Sequence, residues 1–408
     1  MSIPVETWRW LASEDGFEAI ACAPSETSAS VVSGLRKRFD ADQVRGILEA
    51  GAARRKAGAK LDAGWAASLL ADIAGVEMAS SALSSVYKAR RFAEVLGKGA
   101  LVADLCCGIG ADSWGLAEAG LRVVGVDADP GRAVMYGHNL PGCSAVCGDA
   151  LADCPTDAVA FHLDPARRAG AKRTLLIEDF LPGPDVWAAI IDKRGDGAIK
   201  LNPGVDAFAL PEGEVEILSE PSGLTQAVLW IGQLAGAASR RATKLSADGT
   251  ACSITGEPER PEDTHEIGAF LGTLDACVER ADLTGVLLDQ LGVSLVHPGT
   301  GLVTGEAAIS HAMVRWYRVL EVLAWSEKRV RSALRSHDAG VVEIRTRGSL
   351  VNPDELQRKL RGTGSRNDRS VLVYRLGDRA VAVIAEQVRE ETPANERSHA
   401  GGDGGRDV

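Results

Sequence analysis

The sequence predicts an α/β protein: a doubly wound parallel sheet, with a helical region before it and a small α+β unit after it. Three observations carry this. Strand-like apolar runs alternate with helical patterns from Leu101 to about Leu234. Within that region LVADLCCGIGADSWGLAEAGLRVVGVDAD (101–129) reads as strand, glycine-bearing turn, helix and strand, closing on the acid Asp127. Further on, VVEIRTRG, SVLVYRLG and AVAVIAEQ are β-like runs spaced around PDELQRKL, a helix opened by Asn352-Pro353.

Residues 1–96 are expected to be helical, because 41–59 and 65–95 carry apolar residues at helical spacing with few turn signals. Residues 97–235 form the expected sheet domain, with strands near 101–105, 121–126, 144–147, 158–163, 197–201, 213–219 and 226–231. Residues 236–319 read as an insertion or connecting region. In it, 235–262 is small and polar and fits either a hairpin or an insertion, and 269–293 returns to a helical pattern. The α+β unit spans 320–391. The last segment, 392–408, is polar and glycine-rich and is expected to be disordered.

At 408 residues the chain exceeds one ordinary domain, and a hydrophobic content of 45% supports a full core. No run of eighteen apolar residues exists, so a membrane-spanning helix is not expected. The start, MSIPVETWRW, lacks a basic segment followed by an apolar one, so no secretory leader is expected. Cys143 and Cys147 have no second pair to complete a zinc site, and no metal is expected. Scattered free thiols fit a reducing, cytoplasmic setting. The net charge of −11 opposes a uniformly basic nucleic-acid-binding body. Charge is uneven, however: 327–391 holds 14 Lys+Arg against 10 Asp+Glu, and Arg54, Arg55, Lys56 and Lys60 cluster.

The glycine turn names a ligand class. Glycines let a backbone approach a ligand closely, and an acid ending the second strand can accept from both ribose hydroxyls. A dinucleotide site wants G-x-G-x-x-G, with a pyrophosphate at the helix N-terminus. Here the run is C-G-I-G-A-D, Ser113 stands at the third glycine position, and Asp104 precedes the turn. An acid there would repel a pyrophosphate and could pair with an ammonium group. Asp149 follows the third strand and Asp164-Pro165-Ala166-Arg167-Arg168 the fourth, while Lys200 to Asp206 follows the fifth. All lie at the carboxyl edge, where open α/β sheets bind ligands.

The motif D-L-C-C-G-I-G resembles motif I of class I S-adenosylmethionine-dependent methyltransferases. The Asp164-Pro165 turn resembles the D/N-P-P-Y/F/W loop of amino-group methyltransferases, with Ala166 and Arg167 replacing the second proline and the aromatic. Through RRKAGAK, SSALSSVYKARRFA, ADLCCGIGADS, HLDPARR, IKLNPGVD, FLGTLDACVERADL and VVEIRTRGSLVNPDELQRKL, the chain resembles bacterial class I methyltransferases with a THUMP-like C-terminal domain. Asn202 stands where that group is expected to carry serine.

The resemblance implies a Rossmann-like fold, the cofactor S-adenosylmethionine, and transfer of its methyl group to a nitrogen of structured RNA, transfer or ribosomal. THUMP domains assist RNA-modifying enzymes by binding such RNA. It further implies that Asp104, Cys106, Gly108, Gly110, Asp127, Ala128, Asp149, Ala150 and Asp164 hold the cofactor. Asp164, Pro165 and Arg167 would serve catalysis. Tyr87, Arg168, Lys200, Asn202, Arg345, Arg347 and Lys359 would contact substrate, with Arg358 and Arg361 as further backbone contacts. His162 reads as a satisfied buried histidine before a general base, and Trp187 and Trp230 as core. Two alternatives stand: a small-molecule or protein methyltransferase, and a non-catalytic cofactor-fold module that binds RNA.

Overall fold

The computed structural model describes residues 3–21, 23, 28–167, 176–264, 266–347, 350–360 and 367–388. Arg168, Arg361 and the segment 392–408 lie outside them, as does the side chain of Arg167. The chain divides into two compact units, 1–260 with 276–287, and 261–275 with 288–408.

Among the described residues the first unit opens with seven helices: α1 Val5–Leu11, α2 Glu14–Ala21, α3 Ala29–Leu35, α4 Ala41–Ala57, α5 Ala63–Ala67, α6 Ile73–Met78 and α7 Ala82–Leu96. The stretch that reads as one helical pattern over 65–95 is cut twice, because Asp72 and Ser81 cap new helices by accepting from Gly75 N and Ser84 N. A capping box between Asp40 and Gln43 starts α4.

The central sheet takes β1 Leu101–Leu105, β2 Arg122–Asp127, β3 Ser144–Cys147, β4 Ala160–Leu163 and, after the two-residue ribbon β5 Ala166–Arg167 and β6 Phe180–Leu181, β7 Gly197–Leu201. It continues through β8 Glu214–Glu220, β9 Gly223–Ile231, β10 Arg240–Leu245 and β11 Ala251–Gly256. The order is β11-β10-β8-β9-β7-β4-β1-β2-β3. From β3 to β7 all pairs are parallel, the doubly wound arrangement; β9 then runs antiparallel to both β7 and β8. The β1–β2, β2–β3 and β4–β7 connections carry α8 Ala111–Glu118, α9 Pro130–Asn139 and α10 Pro184–Arg194 in turn.

The helical region is not a separate body. Trp8, Leu11, Ile47, Leu69 and Leu70 share one core with Ile109 of the glycine turn and Met135 of α9. Asn139, buried, seals that join: its Nδ2 donates to Leu70 O and Ile109 O at 3.0 Å each, and its Oδ1 accepts from Leu70 N at 2.7 Å. Arg132 on α9 grips Asp72 with both terminal nitrogens, at 2.7 and 3.0 Å.

The region 236–319, expected as a connector, supplies strands to both sheets. Its hairpin β10–β11 extends the first sheet beyond β8. In the second unit β12 Phe270–Leu274, β13 Ser294–His297 and β14 Leu302–Gly305 join β15 Val314–Ala324, β16 Ala339–Thr346, β17 Asn367–Leu376 and β18 Arg379–Gln387. The order is β13-β14-β12-β15-β18-β17-β16. Thus 270–274, expected in a helical pattern, is a strand followed by α11 Ala276–Arg280 and α12 Thr284–Leu291. A five-residue apolar run is periodically ambiguous, and Gly272 decides it, since a Cβ there would lie 2.6 Å from Val303 on the paired strand. Two helices, α13 Glu327–Ser336 and α14 Pro353–Lys359, pack Val330, Leu334 and Leu356 on one sheet face. Leu271, Val296, Tyr317 and Leu372 form a second cluster. Among the described residues no helix is long and apolar enough to cross a membrane.

Close approach of α7 to α8 depends on Gly115, where a Cβ would stand 2.7 Å from the Ser85 backbone. Gly115→Ala must push two helices apart. It is expected to lower stability by about 1–3 kcal/mol, read as a shifted urea midpoint at unchanged slope.

Candidate active site

The carboxyl ends of β1, β2, β3, β4 and β7 converge, and the loops they carry hold the chemistry. After β1 the chain turns through Cys106 (φ 57°), Gly108 (φ 56°) and Gly110 (φ 91°). A Cβ built on Gly110 would lie 2.7 Å from Leu140 Cδ1, so only glycine closes the turn onto α9. At Gly108 a Cβ would meet nothing within 4 Å, so this backbone faces open space. Asp127 ends β2 and braces the turn: its Oδ2 accepts from Gly108 N and its Oδ1 from Asp129 N, both at 2.9 Å. Burial raises its carboxyl pKa despite those two amides. Ala128 beside it is exposed. Asp149, after β3, is exposed and accepts from Leu151 N and Ala152 N at 2.9 Å, with Ala150 buried next to it.

Asp104, expected to face an ammonium group, is directed inward. It is 1% exposed, accepts from Ser113 Oγ at 2.6 Å and lies 2.8 Å from His162 Nδ1. Ser113 in turn accepts from Tyr136 Oη at 2.9 Å. The serine at the third glycine position therefore anchors the acid that precedes the turn, and His162 is a satisfied core histidine.

Beneath the edge runs a buried chain of charges that the sequence reading did not identify. Lys88 on α7 is 2% exposed, and its Nζ lies 2.6 Å from Asp112 Oδ1 on α8. It also reaches Ser80 Oγ at 3.2 Å, Gln226 Oε1 at 3.3 Å and His162 Nε2 at 3.4 Å. Asp112 Oδ2 accepts from Ser80 Oγ at 2.9 Å and stands 3.8 Å from Lys200 Nζ. Lys200 then donates to Asp164 Oδ2 at 2.6 Å and to Met78 O at 3.2 Å. Burial would raise the Asp112 carboxyl, but Lys88, His162 and Lys200 outweigh it and hold it well below the usual range. Burial would lower Lys200, but Asp164 and Asp112 outweigh it and raise its pKa. A signal for Lys88 was present: it shares the helical face of Ser85, Ala89 and Phe92, where a charge needs a partner.

The remaining expected residues are dispersed. Pro165 is buried after Asp164, whose amide donates to Leu105 O at 3.1 Å. The Tyr87 hydroxyl donates to Glu216 at 2.6 Å, which raises its pKa along with burial, so it serves the β8 side of the sheet and not the edge. Asn202 Oδ1 accepts from Gly204 N at 2.8 Å and folds its own turn. That turn is also held by Arg280, which donates to Pro203 O and Val205 O. In the second unit Arg345 pairs with Glu343 at 2.6 Å and Lys359 with Glu355 at 2.6 Å. Arg347 lines a cavity of about 210 Å³ with His297, Thr300, Tyr374 and Arg375.

Comparison with known proteins gives this geometry its family. A THUMP domain-like family model matches residues 314–387. An uncharacterized S-adenosylmethionine-dependent methyltransferase of Mycobacterium tuberculosis, in strains CDC 1551 and H37Rv, is 33% identical over 371 residues, 87% of this chain and 99% of that one. The chain belongs to the class I S-adenosylmethionine-dependent methyltransferases that carry a THUMP-like domain. A solved Porphyromonas gingivalis W83 protein, described provisionally as a methyltransferase, shares the fold at 16% identity, with a TM-score of 0.68 over 94% of this chain and 98% of that one.

The residues present are compatible with the cofactor. The backbone at Gly108 is open, Asp127 keeps lone pairs beyond those given to two amides, and Asp149 is exposed at the same edge, so these are the groups that would hold it. Bound there, S-adenosylmethionine supplies an electrophilic methyl group.

Two outcomes are expected. Lys88→Met leaves Asp112 buried without its closest cation and should cost about 3–5 kcal/mol in urea unfolding, part of which returns in Lys88→Met/Asp112→Asn. Because Asp112 is depressed in the folded chain, this stabilisation is present above the unfolded aspartate value of about 3.9 and is lost as pH falls further. Asp127, by contrast, is raised. S-adenosylhomocysteine affinity, measured calorimetrically, should begin to fall with pH while still above that value, and the acid limb should vanish in Asp127→Asn.

Proposed function

We propose that this methyltransferase modifies a nitrogen of a nucleotide in structured RNA. The observation that carries the reading is the position of Asp164-Pro165 at the carboxyl edge beside the cofactor cradle, in a chain that also carries a THUMP-like domain. The Asp164 carboxylate is held by Lys200 through Oδ2, and Oδ1 is the oxygen not committed to that lysine. An acceptor amine gives a hydrogen to it, which turns the nitrogen lone pair toward the methyl group. Rate then comes from orientation more than from a strong base. The methylated nitrogen is left cationic and gives its proton to Asp164 Oδ1, while Lys200 keeps that carboxylate in place through Oδ2. The local excess of positive charge in 327–391 supports phosphate contact by the second unit, against the net −11 of the whole chain.

Comparative mass spectrometry of RNA nucleosides from cells with and without the gene tests the reading directly. One methylated nucleoside should be missing from the deleted strain. RNA from that strain should then accept label from S-adenosylmethionine with purified protein, and Asp164→Ala should reduce this by about a hundredfold or more. Binding to that RNA should weaken steeply with salt; a slope near zero would favour a small-molecule or protein substrate. Undiminished labelling by Asp164→Ala would remove the catalytic assignment.

A further inference from the structure

Two ion pairs meet under the carboxyl edge, and neutrality does not require them to. Lys88 and Asp112 cancel across α7 and α8 at 2.6 Å, and Lys200 and Asp164 cancel at the same distance. Each pair is complete by itself, yet Asp112 Oδ2 stands 3.8 Å from Lys200 Nζ and joins them. The two oxygens of Asp112 have different partners. Oδ1 meets the Lys88 ammonium and accepts from Ser85 Oγ at 3.4 Å. Oδ2 accepts from Ser80 Oγ at 2.9 Å and faces the Lys200 ammonium.

The two acids on Lys200 differ in exposure. The Asp164 side chain is 31% exposed and that of Asp112 is 8% exposed. A pair open to water is screened and holds long side chains loosely, whereas a buried one is screened far less. The attraction to Asp112 therefore anchors the ammonium from the interior, helped by the Met78 carbonyl at 3.2 Å. The like charges of Lys60 and Lys88 act against it, and Asp104 adds a weaker attraction. Resting on the role given to Asp164 above, we infer that Asp112 is a positioning residue for methyl transfer, acting through the Lys200 ammonium on the Asp164 carboxylate. Without it, Lys200 keeps only its more exposed acid and one carbonyl, and the pair is free to swing on the flexible lysine stem. The carboxylate then spends less time in the one orientation that turns an acceptor nitrogen toward the methyl group.

The test uses the full-length double variant Lys88→Met/Asp112→Asn, which removes both buried charges and leaves neither unpaired. Stability in urea should recover relative to Lys88→Met. With RNA from the deleted strain as acceptor, kcat should nevertheless stay at least about tenfold below wild type. KM for S-adenosylmethionine and affinity for S-adenosylhomocysteine should be unchanged. An acid that serves folding alone predicts instead that rate returns with stability. A crystal structure of the same variant gives a readout independent of RNA. Relative to wild-type crystals, the separation of Lys200 from Asp164 should lengthen, or both side chains should occupy several rotamers. Asp112→Asn supplies the same comparisons if the double variant loses cofactor affinity. A wild-type kcat, or an unmoved Asp164 beside Lys200, would overturn the role. The two readings separate. RNA labelled equally by wild type and variant sinks the positioning and spares the RNA reading. RNA that takes no label from the wild type sinks the RNA reading, and the crystal comparison then decides the positioning by itself.

Discussion

The ion pair between Lys88 and Asp112 is the constraint on which the site depends. It lies between α7 and α8, almost out of contact with water, where either charge alone would be expensive. Its geometry demands that the two helices touch, and Gly115 against the Ser85 backbone is what permits that approach. From Asp112 the charges continue to Lys200 and then to Asp164, so the orientation of a carboxylate at the surface is set by packing in the interior. A second branch passes through His162 to Asp104 and Ser113 under the glycine turn. The glycine turn and the Asp164 loop thus share one polar scaffold, and neither can shift without disturbing the other.

That scaffold also explains why the first 96 residues belong to the catalytic unit. α7 contributes Lys88, the segment before it contributes Ser80 and the Met78 carbonyl, and Asn139 ties Leu70 to Ile109. A helical region with its own core would leave the edge of the sheet open. Here the apolar faces of α1, α4 and α5 are buried together with Ile109 and Met135, so the helical region and the glycine turn share one core.

Local pattern reveals some of this in sequence and conceals the rest. The strands β1 to β4 and β7 to β9 are legible because each is a short apolar run bounded by a helical period or a turn, and the acids that follow β2, β3 and β4 come with them. Asp127, Asp149 and Asp164 all stand at that edge. What cannot be read is direction. Asp104 has the right place in the motif but points inward, because Ser113 and His162, 9 and 58 residues away, compete for it. Tyr87 lies one residue from Lys88 yet serves Glu216, since adjacent helical positions face different ways. For 235–262 a hairpin was one of two readings, and β10–β11 is that hairpin; the strand β12 was obscured for another reason, since its partner β15 is set by long-range pairing that no local spacing encodes.

The departure at Ala166 and Arg167 from the amino-methyltransferase loop takes its meaning from the same scaffold. In the pattern with an aromatic residue, the loop holds the acceptor by its face, and hydrogen bonds at the edge need only be few. Without that ring, specificity has to come from the edge, where polar groups must be buried and matched. Lys88, which meets the buried Gln226 amide oxygen, is the residue that also fixes Asp112.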